Sequence, residues 1–281
     1  MASDHERGPG EPGTAPLPGS PPFADRTEAG VLLGAAVRDA VDRWEGTERV
    51  RGPAGRPAAP RDRAGPGGRV RVFALPRGGV PVAAGVARAL GAPLDVLVVR
   101  KIGHPATPEL GLGAIAEDGR GGVLAPYFDQ GLLREVGLVP ADLAEVVMRE
   151  RAELARRVAV YRRVGEEAEP RTRSVSAGGT TDGAAAADPG LAGRLAIVVD
   201  DGLATGVTAR AALRALRARG PAGTMLAVPV AAAAAVAAMQ NETGEVVTVV
   251  TPRRFVSVGE WYADFGQLTD ADVLTLLAAI P

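Results

Sequence analysis

At 281 residues the chain is long enough for one large domain or two small ones, and its formal net charge of −1 provides no global field that would favour nucleic acid or an acidic membrane. It has no Cys, which excludes disulfides, thiolate metal sites and a cysteine nucleophile; it has two His, one in a Pro/Gly-rich tail, so a zinc site or a Ser-His-Asp triad would rest on His104 alone. No apolar leader is read, and the longest apolar stretch, MLAVPVAAAAAVAAM (225–239), is too short for a membrane span and contains Pro229, so the expectation is a cytoplasmic protein.

In chain order, residues 1–22 read as a disordered tail and 23–281 as a single domain. A helix is predicted over 26–44, opened by Asp25 and Glu28 at capping-box spacing. Residues 46–69 read as a flexible insertion. The strand VRVFAL (70–75) leads into PRGG and a helix over 80–90 that Gly91 ends. A second strand, LDVLVVR (94–100), precedes a polar loop and a hairpin within GAIAEDGRGGVLAP (113–126). A long helix is predicted over 140–162, with Leu143, Val147, Leu154 and Val158 near one face; its basic stretch, MRERAELARRVAVYRR (148–163), suits a solvated surface. Residues 170–190 read as a second insertion. After these come a strand ending in Asp200 and Asp201, a helix (ARAALRALRARG), a strand at 223–230, an alanine-rich helix, a strand at 245–251, the segment PRRFVSVGEWYADFGQ and a terminal helix at 270–279. Strands alternating with helices imply parallel β-α-β units with right-handed crossovers. The fold class is therefore α/β, with a mostly parallel sheet of about five strands and helices on both faces.

The densest chemistry lies in AIVVDDGLATGVT (196–208). Two carboxylates emerge at the carboxyl end of a buried strand, where open α/β sheets bind ligands. Gly202, Thr205, Gly206 and Thr208 then form a loop whose N–H and hydroxyl groups converge on an anion at a helix N-terminus. Acids that grip sugar hydroxyls, beside a cradle for one phosphate, describe a site for a ribose 5-phosphate. In LPRGG (75–79), two glycines let backbone approach a ligand closely and Arg77 can hold a phosphate bidentately. The only Lys of the chain, Lys101, follows Arg100 directly after a strand. GLGAIA (111–116) satisfies the G-x-G-x-x-A pattern, but it comes too late after its strand and leads into a hairpin, so a dinucleotide site is rejected.

Residues 196–208 resemble the phosphoribosyl-pyrophosphate (PRPP) signature of the type I phosphoribosyltransferases. LPRGG is similar to that family's pyrophosphate loop, which often carries a strained peptide, and RKIGHPATPELGLG (100–113) to its mobile, closing loop. RRFVSVGEWYADF (253–265) resembles the hood of the 6-oxopurine members, with the spacing off by about one residue and no counterpart to the purine-reading Lys. Together with FADRTEAG (23–30), these motifs look most like a bacterial group of stand-alone phosphoribosyltransferases whose acceptor is unsettled. The resemblance implies a type I phosphoribosyltransferase-like sheet with a small hood, and Mg²⁺-dependent transfer of ribose 5-phosphate from PRPP to a small-molecule acceptor, a nitrogen heterocycle by expectation. It also implies a homodimer and no nucleic-acid or membrane partner.

By that resemblance Asp200 and Asp201 would hold the ribose hydroxyls. Leu203, Ala204, Thr205, Gly206, Val207 and Thr208 would fix the 5-phosphate. Arg77, Gly78, Gly79, Arg100 and Lys101 would neutralise pyrophosphate. Phe255 or Trp261 would stack on the acceptor, and Asp264 would help organise a metal held mainly through PRPP. His104, Glu109 and Glu117 are weaker candidates for proton transfer. A non-catalytic PRPP- or nucleotide-sensing protein on the same fold is the alternative, and the intact acids and Lys101 argue for catalysis over it.

Overall fold

The structure is a computed structural model and describes residues 22–50, 68–118, 122–168 and 190–279. The expected tail at 1–22 and most of the insertions at 46–69 and 170–190 lie outside the described residues. In chain order the elements are α1 (Arg26–Val50), β1 (Val70–Ala74), α2 (Gly79–Leu90), β2 (Leu94–Val96), β3 (Val99–Gly103), β4 (Gly111–Ala116), β5 (Tyr127–Phe128), α3 (Gln130–Val136), α4 (Ala144–Ala168), β6 (Leu195–Val199), α5 (Val207–Arg217), β7 (Gly223–Val230), α6 (Ala233–Gln240), β8 (Glu245–Val250) and α7 (Asp270–Ala278).

Alternation along the strands sets the layers. Leu195, Ile197 and Val199 of β6 join one buried cluster, and Ala196 and Val198 join another. Met225 and Ala227 of β7 part from Leu226 and Val228 in the same way. Successive side chains on a strand point to opposite faces, so an unbroken apolar run means burial on both. Side chains of α1, α2, α3, α4 and α7 and of β3 and β4 join the first cluster, and those of α5 and α6 the second. The result is the expected parallel sheet of five strands, in the order β2-β1-β6-β7-β8.

The expected second strand at 94–100 is two strands. β2 pairs with β1 in the parallel sheet, whereas β3 pairs antiparallel with β4 in a separate sheet of order β3-β4-β5. Glu117 makes the break. Its buried Oε1 accepts from the Val98 N–H at 2.9 Å, and its own N–H donates to the Val98 carbonyl at 3.0 Å. These bonds draw the backbone after Leu97 out of the parallel ladder. GLGAIA is therefore β4 itself, a strand and not a phosphate-binding turn.

Helix α1 starts as predicted, with the Thr27 and Glu28 N–H groups donating to Asp25 Oδ1 at 2.7 and 2.8 Å, and it runs past the expected end at 44 to Val50. Just before α1, Phe23 and Ala24 are sewn to the far end of the sequence. Phe23 N–H donates to the Trp261 carbonyl (3.2 Å), and the Ala263 and Asp264 N–H groups donate to the Phe23 and Ala24 carbonyls (2.8 Å each). This seam forms the hood. Among the described residues no helix is long and apolar enough to cross a membrane.

Candidate active site

β1 and β6 are neighbours, in register from Val70 with Leu195 to Ala74 with Val199. From β1 the chain continues towards β2 on one side, and from β6 towards β7 on the other, so the strand order reverses between them. Such a reversal opens a crevice at the carboxyl ends, where ligands bind in open α/β sheets. The loop 75–79 leaves β1 at that edge and Asp200–Asp201 leave β6 beside it.

The two segments touch. A methyl group added at Gly78 would collide with the Asp201 carboxylate, and one at Gly79 would lie 2.7 Å from the Val199 carbonyl oxygen and 3.0 Å from Asp200 Cα. The glycines are thus required by the close approach of the loop to the acids. The Pro76–Arg77 peptide is cis. The Gly79 N–H donates to the Leu75 carbonyl at 3.0 Å.

Two partly buried acids in succession are poorly balanced in charge. Asp201 Oδ2 accepts from Arg26 Nε at 2.9 Å, whereas the one bond of the Asp200 carboxylate among the described residues is to the Asp201 N–H, at 2.9 Å. Burial, then the neighbouring Asp201 charge, push the Asp200 carboxyl well above the usual carboxylate range. Burial also raises Asp201, against the opposing pull of Arg26. Tyr262 closes the floor by donating its hydroxyl to the Asp201 carbonyl at 2.5 Å, and burial keeps that phenol protonated.

Residues 202–206 carry the chain from the acids to α5. Leu203 anchors this loop: its side chain is buried, its N–H donates to the Val230 carbonyl and its carbonyl accepts from Ala232, both at 2.9 Å. Leu203 therefore has no amide to offer a phosphate. Ala204 and Thr205 are exposed. Gly206, at φ +77°, turns the chain into the helix, a conformation that favours glycine. No side chain caps this N-terminus, whereas Asp129 caps α3 and Thr269 caps α7. The first N–H groups of α5, including those of Val207 and Thr208, thus meet the positive end of the helix dipole with no internal acceptor.

The antiparallel ribbon separates two of the three expected pyrophosphate cations. As neighbours on β3, Arg100 and Lys101 point to opposite faces. Arg100 turns to α4 and grips Glu150 Oε2 through Nε (2.9 Å) and Nη2 (2.7 Å). Lys101 turns the other way: a methyl at Gly111 would touch both the Lys101 stem (2.9 Å) and Val207 (3.8 Å), so Lys101 lies near the start of α5. Its Nζ rests on the Glu109 carbonyl at 3.1 Å.

His104 Nδ1 accepts from the Ala106 and Thr107 N–H groups, which ties up the ring in the turn of the ribbon. Glu117 is the buried strand-breaker described above, and Glu109 is an exposed ribbon residue. Of the expected closing loop (100–113), residues 100–103 lie on β3 and 111–113 on β4, with 104–110 forming the turn between them.

In the hood, Phe255 and Trp261 pack against the cluster of Phe23 and Tyr262. The indole N–H of Trp261 is buried and unpaired among the described residues. Asp264 is exposed, and its Oδ1 accepts from the Gly266 N–H at 2.9 Å. A cleft of about 540 Å³, lined by Ala114, Tyr127, Phe128, Ala211 and Arg214 among others, lies between the ribbon and the flank of α5 and includes none of the expected site residues.

Sequence reasoning gives Arg26 no role, and it reads Tyr262 and Phe265 only as aromatics of RRFVSVGEWYADF, not as partners of Asp201 and Arg26. FADRTEAG placed Arg26 in a motif without giving it work, and its partner Asp201 is 175 positions away. As for a metal, no group of three or more His, Asp or Glu converges among the described residues. The unbalanced acids Asp200 and Asp201 suit a cation that arrives with a phosphorylated ligand and completes its shell with water, as Mg²⁺ does.

The chain is similar to two Mycobacterium tuberculosis proteins, each named "Putative phosphoribosyl transferase", from strains H37Rv (Rv0571c) and CDC 1551 (MT0597). Each is 41% identical over 227 residues, covering 81% of this chain and 45% of theirs, so the chain spans about half the length of the curated relatives it matches. The crystal structure of TT1426 from Thermus thermophilus superposes with a TM-score of 0.60 at 34% identity, over 92% of this chain and 98% of that one. The model of the phosphoribosyl transferase domain matches residues 54–259, a span that holds the PRGG loop, the ribbon, both acids and the start of α5; the chain belongs to that family.

Proposed function

We propose that the chain binds PRPP at the junction of β1 and β6 and transfers its ribose 5-phosphate to a nitrogen heterocycle, releasing pyrophosphate. The observation that supports this reading is the close approach of Gly78 to the Asp201 carboxylate, which brings the glycine loop after β1 against the acids at the end of β6. The uncapped start of α5 follows the acids on the same loop.

In this reading Asp200 and Asp201 accept hydrogen bonds from the ribose hydroxyls and stabilise the positive charge that grows on the ring as the anomeric bond to pyrophosphate breaks. The amides of Ala204 to Thr208, with the Thr205 and Thr208 hydroxyls, hold the 5-phosphate. Arg77, the Gly78 amide and Lys101 meet the departing diphosphate. Asp200 and Asp201 would face a Mg²⁺ ion that comes mainly through PRPP, with Asp264 helping to organise it, and the ion would supply positive charge against the departing diphosphate. Phe255 and Trp261 shape the acceptor side, and Asp264 borders it. Positioning and fixed charge supply the acceleration, and no protein nucleophile is needed.

Calorimetric titration of PRPP with and without Mg²⁺ tests this, on the wild type and on the Asp200→Asn/Asp201→Asn variant. The expected result is Mg²⁺-dependent binding by the wild type that the folded variant loses. Absence of binding by the wild type overturns the reading. Binding without pyrophosphate release, with every nucleobase or related heterocycle offered, supports the PRPP-sensing alternative.

A further inference from the structure

Arg26 is the first residue of α1, far in sequence from the acids and the pyrophosphate loop, yet it stands between them. Its side chain is 12% exposed and that of Asp201 16%. Besides the bond from Nε to Asp201, Nη1 donates to the Gly266 carbonyl at 3.0 Å, and the guanidinium lies over the Phe265 ring at 3.8 Å. A methyl built at Gly78 would strike Asp201 and approach Arg26 Nε to 3.2 Å. Arg26 therefore borders the PRGG loop at the point where the loop comes nearest the acids. Its Nη2 has no hydrogen-bond partner among the described residues.

Charge balance gives this position a use. Arg100, expected at the diphosphate, is held by Glu150 through two bonds. Arg77 and Lys101 remain, the latter also paired with the exposed Glu109 carboxylate at 3.5 Å, so beside Mg²⁺ the diphosphate would meet few fixed cations. An arginine with an open edge, planar and fixed by stacking, suits phosphate oxygens. The carboxylate it would leave, Asp201, gains the ribose hydroxyls as donors in exchange.

We propose that Arg26 is a pyrophosphate-binding residue that neutralises Asp201 while the site is free of ligand and turns to the diphosphate of PRPP when the ribose hydroxyls take Asp201. Gly266 and Phe265 hold the guanidinium, through Nη1 and its stacked face, while Nε changes partner, so the hood and the diphosphate site are joined through one side chain. The inference rests on the PRPP reading for its ribose half alone; the diphosphate half is tested independently.

Three probes separate the roles, each titrated with Mg²⁺ present: inorganic pyrophosphate, ribose 5-phosphate and PRPP. Arg26→Gln, checked for native circular dichroism, is expected to weaken pyrophosphate and PRPP by about tenfold or more, the effect of losing a charged hydrogen bond. Ribose 5-phosphate, which lacks the diphosphate, should bind the variant as well as the wild type or better, because Asp201 is freed. Should Arg26→Gln not fold, Arg26→Lys, which keeps the charge but loses the fork, is expected to give a several-fold loss for the same two probes only.

Equal loss for all three probes overturns the proposal and makes Arg26 a support for Asp201. Unchanged pyrophosphate binding overturns it too. If the wild type binds pyrophosphate but neither ribose compound, and Arg26→Gln abolishes that binding, the PRPP reading fails while Arg26 keeps its assignment. Failure of the wild type to bind any of the three removes both.

Discussion

Two groups of acids on this molecule are treated in opposite ways. On α4, Glu153 accepts from Arg156 (2.8 and 2.9 Å) and from Arg157 (2.8 Å), and these bonds hold its carboxyl down to about 2. At the end of β6, two acids share Arg26, and burial holds both above the usual range. Glu153 has a surplus of cations and sits at the surface, where such pairs add little to stability. Asp200 and Asp201 have a deficit of charge in a partly dry crevice, and that arrangement costs the free protein stability. An imbalance that folding alone would remove is the mark of a site waiting for a partner.

The sharpest break in this comparison is a methyl placed in the crevice. Gly78→Ala must displace the Asp201 carboxylate. Overpacking of this kind costs about 1–3 kcal/mol, so the midpoint of thermal unfolding should drop and PRPP binding weaken by at least about tenfold. Normal PRPP affinity in this variant would show that the loop and the acids are not one site.

Next in size is the response to removing charge. Asp200→Asn should raise the melting temperature of the ligand-free protein by a few degrees at pH above the raised folded pKa, because it removes a carboxylate whose charge burial disfavours. A lower melting temperature there would mean that Asp200 is structural.

The two sets of acids should also differ in pH dependence, each read as the melting difference between variant and wild type. Asp200 has a folded pKa above its unfolded value of 3.8. Its destabilising effect is therefore full above the raised folded pKa and relieved as pH falls through it toward 3.8, and the gain from Asp200→Asn should shrink over that window. Glu153 has a folded pKa near 2 against an unfolded 4.5, so its pairing stabilises above about 4.5 and is lost as pH falls toward 2. Glu153→Gln should therefore give a change of the opposite sign. It should be the smallest of the series, within about 0.5–1 kcal/mol for an exposed pair, with PRPP binding untouched.

The parallel sheet was legible because its strands carry unbroken apolar runs and its turns carry Gly and Pro at the right places. Asp200, Asp201, Gly78 and Gly79 were legible because each motif is local: strand, acids or glycines, then helix. The ribbon was not, since the split between β2 and β3 depends on Glu117, 19 positions beyond Val98. Arg100 and Lys101 looked equivalent because strand parity, which separates them, cannot be assigned before the strand is known. Arg26 and Tyr262 lay outside local reading for the same reason: their partner Asp201 is 175 and 61 positions distant.

The seam between residues 23–24 and 261–264 bears on how the protein is made. Arg26 reaches a carbonyl 240 positions later in the chain. At ribosomal speeds of about 5–20 residues per second, roughly 10–50 s separate the synthesis of the two partners. The β1 and β6 ends can meet before that, but the guanidinium has no shelf until the hood emerges. A nascent chain halted before residue 262 would hold its acids without the brace that steadies them, so this crevice is complete only once the hood has been made.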